Sequence, residues 1–461
     1  MVSLDKRISL PVKGPRRLPR RCGAGGVGLL LVLLSEGVPF RAQAPPAHPP
    51  ASSSPSSVKP AQAKESVQKL LATAQEALNR SDFPAAVKAL KTVVELQPES
   101  IAAWFNLAFA YSGLHQDAEA VQAYEKAIAL APGLFEARLN LGILLVQMGR
   151  PQRALEHLAK AAALKRQHAR AHLYYGRALA QAGKPEAAEK EFQEAARLEP
   201  GMAIAHFDLG QLCLAQKRFV DARASFEKAA QLDPKLPQAE LGLALVAEGS
   251  NDPAQAAAHF EKYLAAKPDD LESRFHLGKI YLQQGKNEQA LDNLRKVYQA
   301  KPDLPGLAAA LGDICALLRK FPESEKFYRQ AIAAAPREAE LHRALGQSLL
   351  EQEKLAQAEA EFRATLTLDS RNREAAQGLA TCLYLQEKYQ EAIPLLEALT
   401  RAPNPPPGLF FVLATCYDHL MARPKALENY EHFLELSRGQ TPDQEWQAQQ
   451  RAKLLRRVLG K

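Results

Sequence analysis

The side chains best placed to do chemistry are histidines. His168 and His172 stand four residues apart, the spacing that puts two imidazoles on one helix face within reach of a shared metal ion. His206 repeats the place of His172 one 34-residue period later. A metal site needs further donors in register, and the same place elsewhere holds Trp104, Arg138, Glu240 and Ala376, so no metal is expected. Residues Gly23 to Gly28 spell the G-x-G-x-x-G of a dinucleotide loop, but no strand precedes them and no β-α-β context surrounds them. Cys22, Cys213, Cys315, Cys382 and Cys416 include no C-x-x-C pair for redox or zinc chemistry. The last four fall on helix positions expected to pack inside as small core residues, so no disulfide framework is expected. H-E-x-x-H, G-x-S-x-G and phosphate-loop motifs occur nowhere. The reading is a non-enzyme with no cofactor, no metal and no small-molecule substrate.

Charge narrows the partner. The formal net charge is +8, but residues 1–44 hold eight basic residues against only Asp5 and Glu36. The body is therefore nearly neutral and lacks the concentrated basic face that phosphate contacts require, which argues against nucleic acid. The leader itself has a basic region followed by the apolar run Ala24–Leu34. As a helix that run spans about 16 Å, roughly half a bilayer core, which suits the apolar region of a secretory signal. Ala42-Gln43-Ala44 supplies a small-x-small cleavage pattern. The expectation is an export signal over 1–44 and a periplasmic or extracellular location. The alternative is an uncleaved segment that tethers the chain to the inner membrane. Residues 45–66, rich in Pro and Ser, read as a disordered linker.

From residue 67 the sequence repeats every 34 residues without insertion, with repeats starting at 67, 101, 135, 169, 203, 237, 271, 305, 339, 373 and 407. Position 8 of the repeat is only Gly or Ala, from Ala74 and Ala108 to Gly346 and Ala414. Position 20 is Ala in every repeat except for Ser324. Position 24 is always large and apolar, as in Tyr124, Phe226 and Phe362. Pro98, Pro132, Pro200 and Pro234 recur at position 32, where proline stops a helix. Small residues are needed where two helix axes approach closely, and the large residue fills the space beside them. One such pair cannot offset its own ordering entropy, so the units must stack.

Residues 101–132 carry Trp104, Leu107, Ala108, Tyr111, Ala120, Tyr124, Ala127 and Pro132 at positions 4, 7, 8, 11, 20, 24, 27 and 32. This resembles the tetratricopeptide repeat (TPR) pattern, of the bacterial exported type, at each diagnostic place. The fold expected is an all-α solenoid of about eleven helix-turn-helix repeats over 67–440, with a C-terminal capping helix over 441–461. Thr441-Pro442 reads as the start of that helix, and Trp446, Ala448, Ala452, Leu455 and Val458 as its buried side. The least regular junction is Arg401–Gly408, where four prolines should shorten the adjoining helices.

The resemblance implies a right-handed superhelix whose first helices line a concave groove at positions 2, 5, 6, 9, 12 and 13. On this chain the groove residues expected to bind are Phe105, Asn106, Phe109, Asn140, Tyr174, Arg177, Phe207, Asp208, Phe275, His276 and Lys279, with Leu139 and Gln211 beside them. Aromatic surface with a few hydrogen-bonding groups suits a peptide or short helix. The lysine of the chaperone-binding clamp found in some relatives is missing from position 5, which excludes that partner. The function expected is a scaffold for protein or peptide partners in a bacterial cell envelope. The alternatives are a repeat subunit of a secretion or glycosyltransferase complex, or a membrane-tethered assembly factor.

Overall fold

In the computed structural model, residues 60–460 are described, with side chains from Ser66 onward; the leader, Cys22 and most of the linker lie outside them. The described chain is an all-α solenoid of eleven helix pairs and one trailing helix, Pro442–Leu459. It divides into two compact units at Asp269 and Asp270. The first helix begins at Pro60, inside the stretch read as linker, because a proline suits the first helical turn.

The packing follows from the small positions. A Cβ built on Gly176 would stand 2.7 Å from the ring of Phe192, and one on Gly346 would stand 2.9 Å from that of Phe362. Position 8 therefore cannot enlarge without moving the position-24 residue of its own repeat. Ala120, Ala188, Ala290 and Ala392 at position 20 are fully buried. Ser324, the exception, is buried too, and its hydroxyl donates to the Gly312 carbonyl at 2.9 Å. A buried hydroxyl is tolerated where it is paired.

Position 15 closes each pair in a way the composition does not announce. In all eleven repeats it has left-handed backbone, from Ser81 at φ 57° to Met421 at φ 59°, yet only Gly149, Gly183 and Gly285 are glycine. The next N–H reaches five residues back, as Arg150 to the Leu145 carbonyl at 2.8 Å and Lys354 to Leu349 at 3.0 Å. That bond satisfies a helix-end carbonyl and holds side-chain-bearing residues in a conformation they ordinarily avoid.

Position 4, which looked freely variable, ties successive repeats. Trp104 donates its indole N–H to the Pro98 carbonyl at 2.7 Å, and Arg138 donates to the Pro132 carbonyl at 2.7 Å. His172 and His342 reach Arg166 and Pro336 in the same way, at 3.0 and 3.1 Å. Each accepting carbonyl lies at position 32 of the preceding repeat, where helix termination leaves it without an intrahelical partner. Side chains of different shape make the same tie because each carries an N–H donor of sufficient reach, whereas Glu240 and Ala376 at this position have none to offer.

The irregular junction before residue 408 shortens one neighbour only. Tyr389–Thr400 has 12 residues, with Pro394 inside it, whereas Pro407–His419 keeps 13. A second irregularity falls at Gly306, whose φ of 76° delays the next helix to Leu307. The trailing helix departs from expectation at its start: Thr441 makes no side-chain cap. Glu445 turns back instead, accepting from Ser437 Oγ at 2.5 Å and from the Gly439 N–H at 2.7 Å. Its buried stripe is Ala448, Ala452 and Leu455 alone, while Trp446 is 63% exposed and Val458 50% exposed. Among the described residues the helix packs on the pair that precedes it.

Candidate binding surface

Position 5 was expected to offer aromatic surface to a partner, and the structure turns it inward. Phe105 and Phe207 are each 4% exposed and Leu139 is 1% exposed. Phe105 meets Tyr124 edge-on at 5.9 Å between ring centres, and Phe207 leans on Phe226 at 5.7 Å. Both partners are position-24 residues of the same repeat. From repeat 2 to repeat 6, position 5 therefore belongs to the core of each helix pair.

Positions 6 and 9 carry the polar groups. Asn106, Asn140, Asp208 and Gln211 are all buried, as is Tyr174. Asp208 is engaged by Arg177 of the preceding repeat through two bonds of 2.5 and 3.2 Å, and the Arg177 guanidinium lies 5.1 Å from the Tyr174 ring centre. Burial pushes the Asp208 carboxyl up, and Arg177 pulls it back. Arg177 is thus already committed to a carboxylate of its own chain.

The amides are not so matched. Asn106 Oδ1, Asn140 Nδ2 and Gln211 Oε1 are buried with no hydrogen-bond partner. The fully buried Tyr124 hydroxyl faces the side chains of Ser112 and Asn140, and burial raises its pKa well above the ordinary phenol value. Each unpaired polar atom out of water costs about 1–3 kcal/mol. These amides recur at positions 6 and 9 in repeats 2, 3 and 5. Phe109, partly buried beside Phe83 at 6.2 Å, borders it.

The unit after residue 269 presents a different face at the same positions. Phe275, His276 and Lys279 are partly exposed, with the Lys279 ammonium 5.7 Å from the Phe275 ring centre. Further along, Tyr328 donates to Asp313 at 2.6 Å, and burial raises the Asp313 carboxyl. Arg343 is ion-paired with Glu340 and, at 3.4 Å, with Glu374. Periodicity could mark these positions as equivalent, but which of them would pair across repeats depended on distances the sequence does not contain.

The histidines considered for metal binding are otherwise occupied. His168 Nδ1 accepts the Ala171 N–H at 3.3 Å, and His172 meets Glu191 at 2.6 Å. Among the described residues no group of three or more His, Cys, Asp or Glu is placed to hold a metal ion. Cys213, Cys315, Cys382 and Cys416 are free and buried, and burial raises the Cys382 and Cys416 thiols to about 12.

Tetratricopeptide repeat profiles match residues 139–203, 177–237, 241–305 and 343–406. Others match residues 101–134 and residues 281–347. The chain belongs to the tetratricopeptide repeat family, and its stacked helix pairs form a scaffold for protein or peptide binding. Among curated proteins none matches it. Among solved structures it is similar to PilF of Pseudomonas aeruginosa, at 22% identity over 46% of this chain and 97% of that one, with a TM-score of 0.40. It is also similar to PilW, described as a widely conserved type IV pilus biogenesis factor, at 20% identity over 48% and 98%, with a TM-score of 0.41. YrrB, described as a TPR protein with an unusual peptide-binding site, is 20% identical over 41% and 97%, with a TM-score of 0.35.

Proposed function

We propose that the chain is an exported cell-envelope scaffold that binds an extended peptide segment along the first helices of repeats 2 to 5. The observation that carries this reading is the set of buried, unpaired amides on Asn106, Asn140 and Gln211. A peptide main chain supplies one N–H and one C=O per residue and could complete them. Phe109 would give the segment apolar surface, the buried Tyr174 would back that surface, and the Arg177–Asp208 pair would fix the spacing of two neighbouring first helices. Phe105 and Phe207 would shape the floor from beneath.

Export rests on the leader, whose basic region, short apolar run and Ala42-Gln43-Ala44 fit a signal. Amino-terminal sequencing of the mature protein tests that part. A start just after Ala44 agrees with export and release, and a retained apolar run indicates a membrane tether. Among the described residues no helix is long and apolar enough to cross a membrane.

Crosslinking of the native complex followed by mass spectrometry identifies the partner segment, and titration with that segment tests the groove. Asn106→Ala with Asn140→Ala should weaken binding while leaving folded stability unchanged or higher, because two unpaired polar groups leave the interior. Equal affinity for the variant and the parent chain would move the site off this face.

A further inference from the structure

His172 makes two contacts that no neutral imidazole can satisfy together. Its Nδ1 faces a carboxylate oxygen of Glu191 at 2.6 Å, and its Nε2 faces the backbone carbonyl of Arg166 at 3.0 Å. Both oxygens are acceptors only, so both ring nitrogens must carry hydrogen, which is the charged form. The three groups belong to three different elements. His172 is on the first helix of its repeat, Glu191 is on the second, and Arg166 ends the repeat before. The imidazolium thereby joins one helix pair internally and ties it to the preceding pair.

We propose that His172 is a pH-responsive clasp between repeats 3 and 4: the charged ring holds the junction, and loss of its proton loosens it. The charged groups around the ring favour this. The second helix brings Glu191 and Glu194, and Glu194 is itself held by Arg197 at 2.7 Å. Arg170, on the same helix as His172, lies 5.6 Å from the Tyr174 ring centre, and Lys165 from the preceding repeat is paired with Glu136 at 2.8 Å. Tyr175, one turn along, stays protonated because burial and Glu191 both raise it. The hydrogen bond to Glu191 is the largest influence on His172, and it holds the ring above the ordinary value of 6.5 against burial.

The protein contains its own contrast. His206 occupies the same place one repeat later and also contacts the carbonyl at position 32, that of Pro200. Its opposite residue is Ser225 in place of a carboxylate, and burial and Lys228 push this ring below the ordinary value. One donor nitrogen is all that His206 needs, so its tie is available to the neutral ring. His342 repeats the His172 geometry, with Glu361 at 2.7 Å and the Pro336 carbonyl at 3.1 Å. Repeat 6 reverses the pair, with Glu240 on the first helix and His259 on the second at 2.6 Å.

The sign follows from the direction of the shift. A folded-state pKa raised above 6.5 adds stability that is fully present below 6.5 and is lost as pH rises through the folded value. Two measurements on the full chain test the clasp. With carbon-labelled histidine, NMR titration should place His172 above 6.5, and Glu191→Gln should bring it to that value or below. Hydrogen exchange across 164–172, corrected for intrinsic rates, should accelerate on the order of five-fold between about pH 6 and about pH 8.5. Exchange across 198–206 should stay flat. His172→Gln, which retains one donor, should remove the acceleration without unfolding the repeat. Titration of His172 at or below 6.5 in the parent chain overturns the proposal, and so does an acceleration that survives both substitutions.

Discussion

From repeat 2 to repeat 6 position 5 of the first helices turns inward, whereas from repeat 7 to repeat 10 the same position stays half open. Position 5 in the first unit is Leu71, partly exposed, and then Phe105, Leu139, Leu173, Phe207 and Leu241, all buried. In the second it is Phe275, Ala309, Arg343 and Gln377, each partly exposed, before Phe411 is buried again. Position 6 is buried and polar in Asn106, Asn140 and Asp208, whereas in the second unit it is partly exposed in His276 and Ala310 and buried without polar side chains in Ala344, Gly378 and Val412. Both units have the same small residues at positions 8 and 20 and the same large one at 24. Helix pairing therefore leaves the chemistry of the groove face free, and the two units use that freedom differently. In the first the buried unpaired amides of this face are on Asn106, Asn140 and Gln211, and in the second Gln377 adds one such atom to a face that also displays charge near water.

The sharpest way to break this comparison is through its ion pairs. Asp208→Ala leaves the Arg177 guanidinium, only 16% exposed, without its carboxylate and should cost about 3–5 kcal/mol locally. Glu340→Ala removes a carboxylate that is 60% exposed and should cost under about 1 kcal/mol. Urea unfolding followed by segment-resolved hydrogen exchange reads both, since an array of repeats does not melt as one unit. Equal losses would mean that the two faces are energetically alike.

Next come the shared small positions, where the units should not differ. Gly176→Val and Gly346→Val each force a side chain into the ring of Phe192 or Phe362 and should cost about 1–3 kcal/mol. A large loss in one unit and none in the other would show that one framework yields where the other does not.

A smaller effect separates the faces as binding surfaces. Asn140→Leu should lower peptide affinity by roughly five- to thirty-fold, about 1–2 kcal/mol, with stability unchanged or improved. Gln347→Leu, at the partly exposed position 9 of repeat 9, should leave affinity as it was. Isothermal titration with the crosslinked segment distinguishes them, and the reverse pattern would assign the site to the second unit.

Smallest is the turn. Glu353 has a φ of 58°, so Glu353→Gly should raise local stability by up to about 1 kcal/mol, while Gly183→Ala at φ 74° should lower it by a similar amount. Thermal scans compared with the parent chain check both. A loss for the glycine variant would mean that the Glu353 side chain makes up for its own strain.

Much of the framework was legible because its requirements are steric and one residue wide. A glycine at 176 and an alanine at 188 state that something large lies against them, and Phe192 is the large residue in the same period. The candidate site was legible only as a set of positions. Phe105 and Phe207 looked like groove aromatics because position alone does not reveal that the position-24 ring draws them inward. Position 4 looked arbitrary because Trp104, Arg138 and His172 share no shape. They share an N–H aimed at a carbonyl six residues earlier.

The sequence by itself determined the all-α class, the 34-residue period, the pairing of helices and the identity of the close-approach residues. These follow from volumes and helix propensities that act within one repeat and recur in phase. Only the tertiary structure decided that Asp208 would claim Arg177, that Glu191 and Arg166 would converge on His172, and that Asn106 and Asn140 would be buried without partners. Those outcomes depend on distances between side chains of different elements. Such distances are set by how the pairs stack, and a periodic pattern of residue types constrains them only to within the reach of a side chain.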